Sequence, residues 1–136
     1  MPRILIIDDD ADFREACRLP LEEVGFEVSE ANDADAGFQK VRSERPDLVV
    51  LDVLMPSEYE GFDLARRIRE ELKLLDLPIL MLSAVHERKK PPYRFAPDEV
   101  YLPVDEFLDK PVPSDALVRK IQEMLGLHRE EPEEPL

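Results

Sequence analysis

The 136-residue chain contains no Trp, no Thr, a single Asn (Asn32), four Gly and a single Cys. Cys17 alone cannot form an internal disulfide, so nothing here calls for an oxidising compartment. Basic residues are outnumbered, 18 Lys and Arg against 32 Asp and Glu, for a net charge of −14. A DNA-binding surface displaces counterions with a net basic footprint, so this balance predicts no direct DNA binding. No apolar run reaches the ~18 residues of a membrane span. The opening MPRILIIDDD turns acidic after one Arg and a short apolar stretch, too short for a signal peptide. These absences predict a cytoplasmic protein. Scarce amides beside thirteen prolines and 37% charged residues fit a thermophile, and they fit chance in a short chain equally well.

What is present is enough apolar material, 43%, for one core, and the length suits one domain. Arg3 to Ile7 is a β-branched apolar run of the kind buried on both faces of a parallel sheet. Asp12 with Glu15 reads as a capping box opening a helix, with Phe13, Cys17, Leu21 and Val24 on its core face, Pro20 inside it and Gly25 at its end. Phe26–Ala31 reads as a second strand and Asp33–Ser43 as a helix. Leu48–Leu51 forms a third strand ending at Asp52, and Gly61–Leu72 a helix. Ile79–Leu82 forms a fourth strand ending at Ser83, and a short fifth ends near Leu108. Ser114 caps a last helix with Leu117, Ile121 and Leu125 inward and Gly126 at its end. Strands alternating with helices predict an α/β domain on a parallel sheet. Residues 1–126 make that domain, and the Glu-rich 127–136 a flexible acidic tail.

Ligands of an open parallel sheet bind outside the carboxyl ends of its strands. Those ends carry Asp8, Asp9 and Asp10 on the first strand, Asp52 on the third, Ser83 on the fourth and Lys110 on the fifth. Gathered carboxylates repel one another and call for a cation, and oxygen ligands that leave room for water suit Mg²⁺. A lysine suits phosphate, and a carboxylate can attack phosphorus to give an acyl phosphate. Each acid alone could equally be a helix cap or a solvated loop residue, but their meeting at four strand ends favours a site.

The texts ILIIDDDADFR, RPDLVVLDVLMP, LPILMLSA and DEFLDKPV, in that order, resemble the receiver domain of two-component response regulators. The resemblance covers residues 3–125. It implies a five-stranded parallel sheet of order 2-1-3-4-5 with helices on both faces, a flavodoxin-like fold. It also implies roles. Asp52 matches the phosphoryl acceptor. Asp9 matches the direct Mg²⁺ ligand, Asp8 one acting largely through water, and the Leu54 backbone carbonyl a third protein ligand. Ser83 and Lys110 match the hydroxyl and the lysine that pair with the phosphoryl group, and Ala84 the small residue that leaves access to it. Phe107 matches the aromatic switch. Leu54 and Val85, both apolar, stand where side chains flank the hydrolytic water, which implies a long-lived phosphoryl group. The implied partners are a sensor histidine kinase or phosphotransfer protein and a downstream protein target.

Two departures stand out. Gly61 lies nine residues after Asp52, one more than the family pattern, and 26 residues separate Ser83 from Lys110, more than the pattern has. The expected fourth helix is there replaced by a Pro-rich stretch, 86–105, with Arg88, Lys89, Lys90 and Arg94 beside Tyr93, Phe95 and Tyr101. It reads as a solvated loop or a partner-docking loop. With only the tail after residue 126, the expectation is a stand-alone phosphoacceptor that is not an enzyme. Two alternatives remain: an interaction module working without phosphorylation, and a haloacid-dehalogenase-like phosphatase using Asp8 and Asp10.

Overall fold

Nine elements follow the predicted alternation in the computed structural model, which describes residues 2–52, 60–83 and 104–126. They are β1 (Arg3–Ile7), α1 (Ala11–Glu23), β2 (Glu27–Ala31), α2 (Ala34–Glu44), β3 (Leu48–Asp52), α3 (Glu60–Glu70), β4 (Ile79–Ser83), β5 (Glu106–Asp109) and α4 (Ser114–Met124). The strands form one parallel sheet, as the alternation predicts, in the order β2-β1-β3-β4-β5 that the resemblance implies. The Pro-rich stretch lies outside the described residues up to residue 103, as does the 127–136 tail.

The apolar runs of β1, β3 and β4 supply two cores, because successive side chains point to opposite faces. Ile4, Ile6, Leu48, Val50, Leu80 and Leu82 pack with Cys17 and Leu21 of α1 and Leu117 and Ile121 of α4. Leu5, Ile7, Val49, Leu51, Ile79 and Met81 pack with Phe38 and Val41 of α2 and Leu64 and Ile68 of α3. At ~25 cal/mol per Å² of apolar surface, these covered faces are the main stabilising term. Gly37 lets α2 approach the sheet: a Cβ there would sit 2.6 Å from Ile7 Cδ1.

Local signals differ from the sequence reading at three places. The N-cap of α1 is Asp10, not Asp12; its side chain accepts from the Asp12 and Phe13 amides. Acids two residues apart compete for this place, and the one whose backbone is extended wins. Ser114 is the first residue of α4 and Pro113 holds the cap position, so no side chain caps that end. Val24 is the C-cap of α1 and 50% exposed rather than on its core face. Pro20 leaves α1 as one helix, with Cys17 and Leu21 holding its last turn to the sheet. Gly25, at φ 105°, then makes the turn into β2.

At the amino end of the sheet, Arg69 of α3 is 3% exposed. Its Nη1 donates to the carbonyls of Leu74, Leu75 and Leu77, and its Nη2 to Asp105 Oδ2 at 2.9 Å. The same Asp105 oxygen accepts from the Ile79 amide at 2.8 Å, so one buried cation ties α3, its following loop and the starts of β4 and β5 together. No helix among the described residues is long and apolar enough to cross a membrane.

Candidate functional site

The two-residue period of a strand decides which side chains meet at the carboxyl end. Asp8 continues the series Ile4, Ile6 and Asp52 the series Leu48, Val50, so both point to the α1/α4 side. Lys110 continues from Leu108 on the same side. Asp8 and Asp52 are 2% and 5% exposed. Lys110 reaches over them, Nζ 3.4 Å from Asp8 Oδ2 and 3.3 Å from Asp52 Oδ1. Its ammonium also lies 4.3 Å from the centre of the Phe13 ring, a cation–π contact from the first turn of α1. Asp9 is exposed beside them, and Asp8, Asp9 and Asp52 each offer a carboxylate oxygen within 4.8 Å of the others.

The electrostatics follow from that crowding. Burial, with the Asp52 charge adding to it, pushes the Asp8 carboxyl up to about 6, against the Asp10 amide and Lys110, which favour the anion. Burial works against the Lys110 ammonium, but the carboxylates of Asp52 and Asp8 outweigh it and hold its pKa above the ordinary value. Cys17, buried beneath the site, is pushed up to about 12 by burial and then by the Asp8 charge, so its thiol stays protonated. Among the described residues, three carboxylates face one ammonium, an excess of negative charge in a partly desolvated place. That donor set, all oxygen and acidic, fits a hard divalent cation such as Mg²⁺.

Of the residues singled out in the sequence, Asp8, Asp9, Asp52 and Lys110 come together. Asp10 does not: its carboxylate caps α1, which takes it from the role a phosphatase would give it. Ser83 ends β4, its backbone in register with Asp109 just before Lys110. Phe107 lies on the opposite face of β5 from Leu108, 40% exposed, its ring centroid 6.2 Å from that of Phe62. Leu54, Ala84 and Val85 lie outside the described residues.

Two participants were not singled out. Phe13, a core position by its helical spacing, also turns its ring towards Lys110. Arg14 donates from Nη1 to the Asp8 carbonyl oxygen at 2.7 Å and from Nε to Glu30 Oε1 at 2.8 Å. Its one sequence signal is an arginine within the first turn after the acidic triplet.

Comparison with known proteins agrees with this geometry. Residues 4–122 match the response regulator receiver domain family. The chain is 31% identical over 125 residues to the DNA-binding dual master transcriptional regulator RpaA of Synechocystis sp., covering 92% of this chain and 49% of that protein. It is 31% identical over 122 residues to the phosphate regulon transcriptional regulatory protein PhoB of Pseudomonas aeruginosa, covering 90% of this chain and 51% of that protein. The crystal structure of a CheY-like response regulator receiver domain protein from Methanospirillum hungatei superposes with a TM-score of 0.75 at 27% identity, covering 93% of this chain and 94% of that one. The chain spans about half the length of the curated relatives it matches. These relatives overturn the expectation of no direct DNA binding: RpaA is by name a DNA-binding regulator. The acidic balance describes only the segment over which charge was counted, and that segment matches half of such a protein.

Proposed function

The chain belongs to the response regulator receiver domain family, and we propose that within it Asp52 is the phosphoryl acceptor of a two-component relay. The observation that carries this reading is the place of the Lys110 ammonium, 3.3 Å from Asp52 and 3.4 Å from Asp8, with Asp9 completing the acidic group. In the proposed reaction an Asp52 carboxylate oxygen attacks phosphorus on a histidine kinase. The P–N bond to the kinase histidine breaks, and a P–O bond to Asp52 forms, giving an acyl phosphate. Lys110 pairs with the phosphoryl oxygens and Ser83, at the end of β4, donates its hydroxyl to them. Asp8, Asp9, Asp52 and the Leu54 carbonyl would hold Mg²⁺, which when bound neutralises charge on the transferring group. Phe107, exposed on β5, is the side chain that turns inward once Ser83 engages the phosphoryl group.

The receiver spans residues 1–126 and works in the cytoplasm as a signalling module with no separate substrate. Incubation with acetyl phosphate and Mg²⁺ tests the reading by intact mass. One phosphoryl group is expected on the unaltered chain and none on Asp52→Asn. An unmodified chain would favour an interaction module that works without phosphorylation, and a modified Asp52→Asn would move the acceptor elsewhere.

A further inference from the structure

We propose that Arg14, clamped by Glu30, is a positioning residue for the Asp8–Asp9 end of the site, an inference that rests on the reading of those acids as the Mg²⁺-binding group. The carbonyl that Arg14 grips belongs to the peptide joining Asp8 to Asp9. That peptide is planar, so fixing its oxygen fixes the direction in which both residues leave the backbone. Asp8 is otherwise tied by its own amide to the Ala31 carbonyl, 3.1 Å, and by its carboxylate to the Asp10 amide, 2.9 Å, and to Lys110 Nζ, 3.4 Å. Arg14 adds the one side-chain hold on the peptide plane itself among the described residues.

The guanidinium is braced in turn. Glu30 Oε1 takes Arg14 Nε at 2.8 Å. Its other oxygen lies 2.9 Å from Arg18 Nε, an ion-pair distance without hydrogen-bond alignment, so that buried N–H of Arg18 has no acceptor. Lys40 of α2 donates to the Glu30 carbonyl at 2.7 Å. Arg14 is largely buried, and its two bonds leave from different nitrogens of one rigid plane. A lysine, with a single nitrogen on a flexible stem, cannot span both acceptors.

Charge and position predict opposite signs. A cation this near Asp8 repels Mg²⁺, so if Arg14 acted through its charge alone, Arg14→Gln would tighten Mg²⁺ binding and Arg14→Lys would change nothing. If it acts by holding the peptide, both variants weaken binding, by about 10-fold on the scale of other outer-shell partners of metal ligands. Glu30→Gln weakens it in the same direction, and the double variant Arg14→Gln/Glu30→Gln weakens it no more than Arg14→Gln alone, because both act through one contact.

The experiment is a calorimetric titration of the metal-free full chain with MgCl₂ at fixed ionic strength, alongside the amide resonances of Asp9 and Asp10 before metal is added. The expected result is weaker binding in Arg14→Gln and Arg14→Lys, with those two resonances displaced while the amides of β3 and β4 keep their positions. Should the Arg14 variants fail to fold, Glu30→Gln decides through the Asp9 and Asp10 amide resonances, which a positioning role displaces and the loss of the Glu30 charge alone leaves in place. Mg²⁺ binding that is unchanged or tighter in these variants would overturn the inference and leave the site reading intact. No Mg²⁺ binding by the unaltered chain would overturn the site reading and this inference with it.

Discussion

The sheet buries charge at both of its ends and treats it in two ways. At the amino end, Arg69 has three backbone carbonyls and Asp105 around it, and Asp105 in turn takes the Ile79 amide. At the carboxyl end, Asp8 and Asp52 are as deeply placed, and with Asp9 they outnumber Lys110 among the described residues. In the first arrangement the buried cation faces carbonyl oxygens and a carboxylate that answer its charge. The second carries, among the described residues, an excess of one sign that costs stability and that a bound cation would offset. Buried charge by itself therefore does not point to a cation site; an excess of one sign is what motivates the reading of the carboxyl end as one.

The two ends of the sheet should respond differently to mutation. Arg69→Leu should have the largest effect on stability, a loss of about 3 kcal/mol in urea denaturation, because it strands three loop carbonyls and the Asp105 contact. Phosphoryl uptake by the folded fraction should be unchanged. Asp8→Asn should do the reverse, weakening Mg²⁺ binding while stabilising the metal-free chain by about 1–3 kcal/mol at pH 7. The sign follows from the raised folded value, about 6 against an ordinary 3.8. Above pH 6 both states ionise and the folded state bears the full cost; below pH 3.8 both are protonated and the cost is gone. The gain from Asp8→Asn should thus shrink across that window as pH falls, read by melts at fixed salt. The smallest effect belongs to a charge at neither end. Asp115 and Arg119 pair across one turn of α4, both largely exposed, and Asp115→Ala should cost under ~0.5 kcal/mol in the same urea series.

The carboxyl end was far more legible in the sequence than the amino end, for a physical reason. β1, β3 and β4 are continuous apolar runs because both their faces are covered, and a run that stops at an acid announces both the strand and what stands at its tip. Asp8, Asp9, Asp52 and Lys110 could be placed from that pattern and from the family's motifs. β5 is weaker text, its side chains mostly exposed, and it was legible chiefly through the Lys110-Pro111 that follows it. The contacts of Arg69 and Arg14 leave no such trace. Their acceptors are backbone carbonyls, which every residue has, together with acids 36 and 16 positions away. The caps were misplaced for a related reason. Asp10 and Asp12 are equally good capping residues, and only the backbone angle at the first turn separates them.

The proposed demand for a divalent cation at the carboxyl end should show in thermal unfolding of the chain with and without Mg²⁺, with ionic strength matched by KCl. The midpoint should rise with Mg²⁺ in the unaltered chain and hardly move in Asp9→Ala. That variant, without metal, should be at least as stable as the unaltered chain, because a like charge has been removed. A midpoint indifferent to Mg²⁺, or one that rises equally in Asp9→Ala, would contradict that demand.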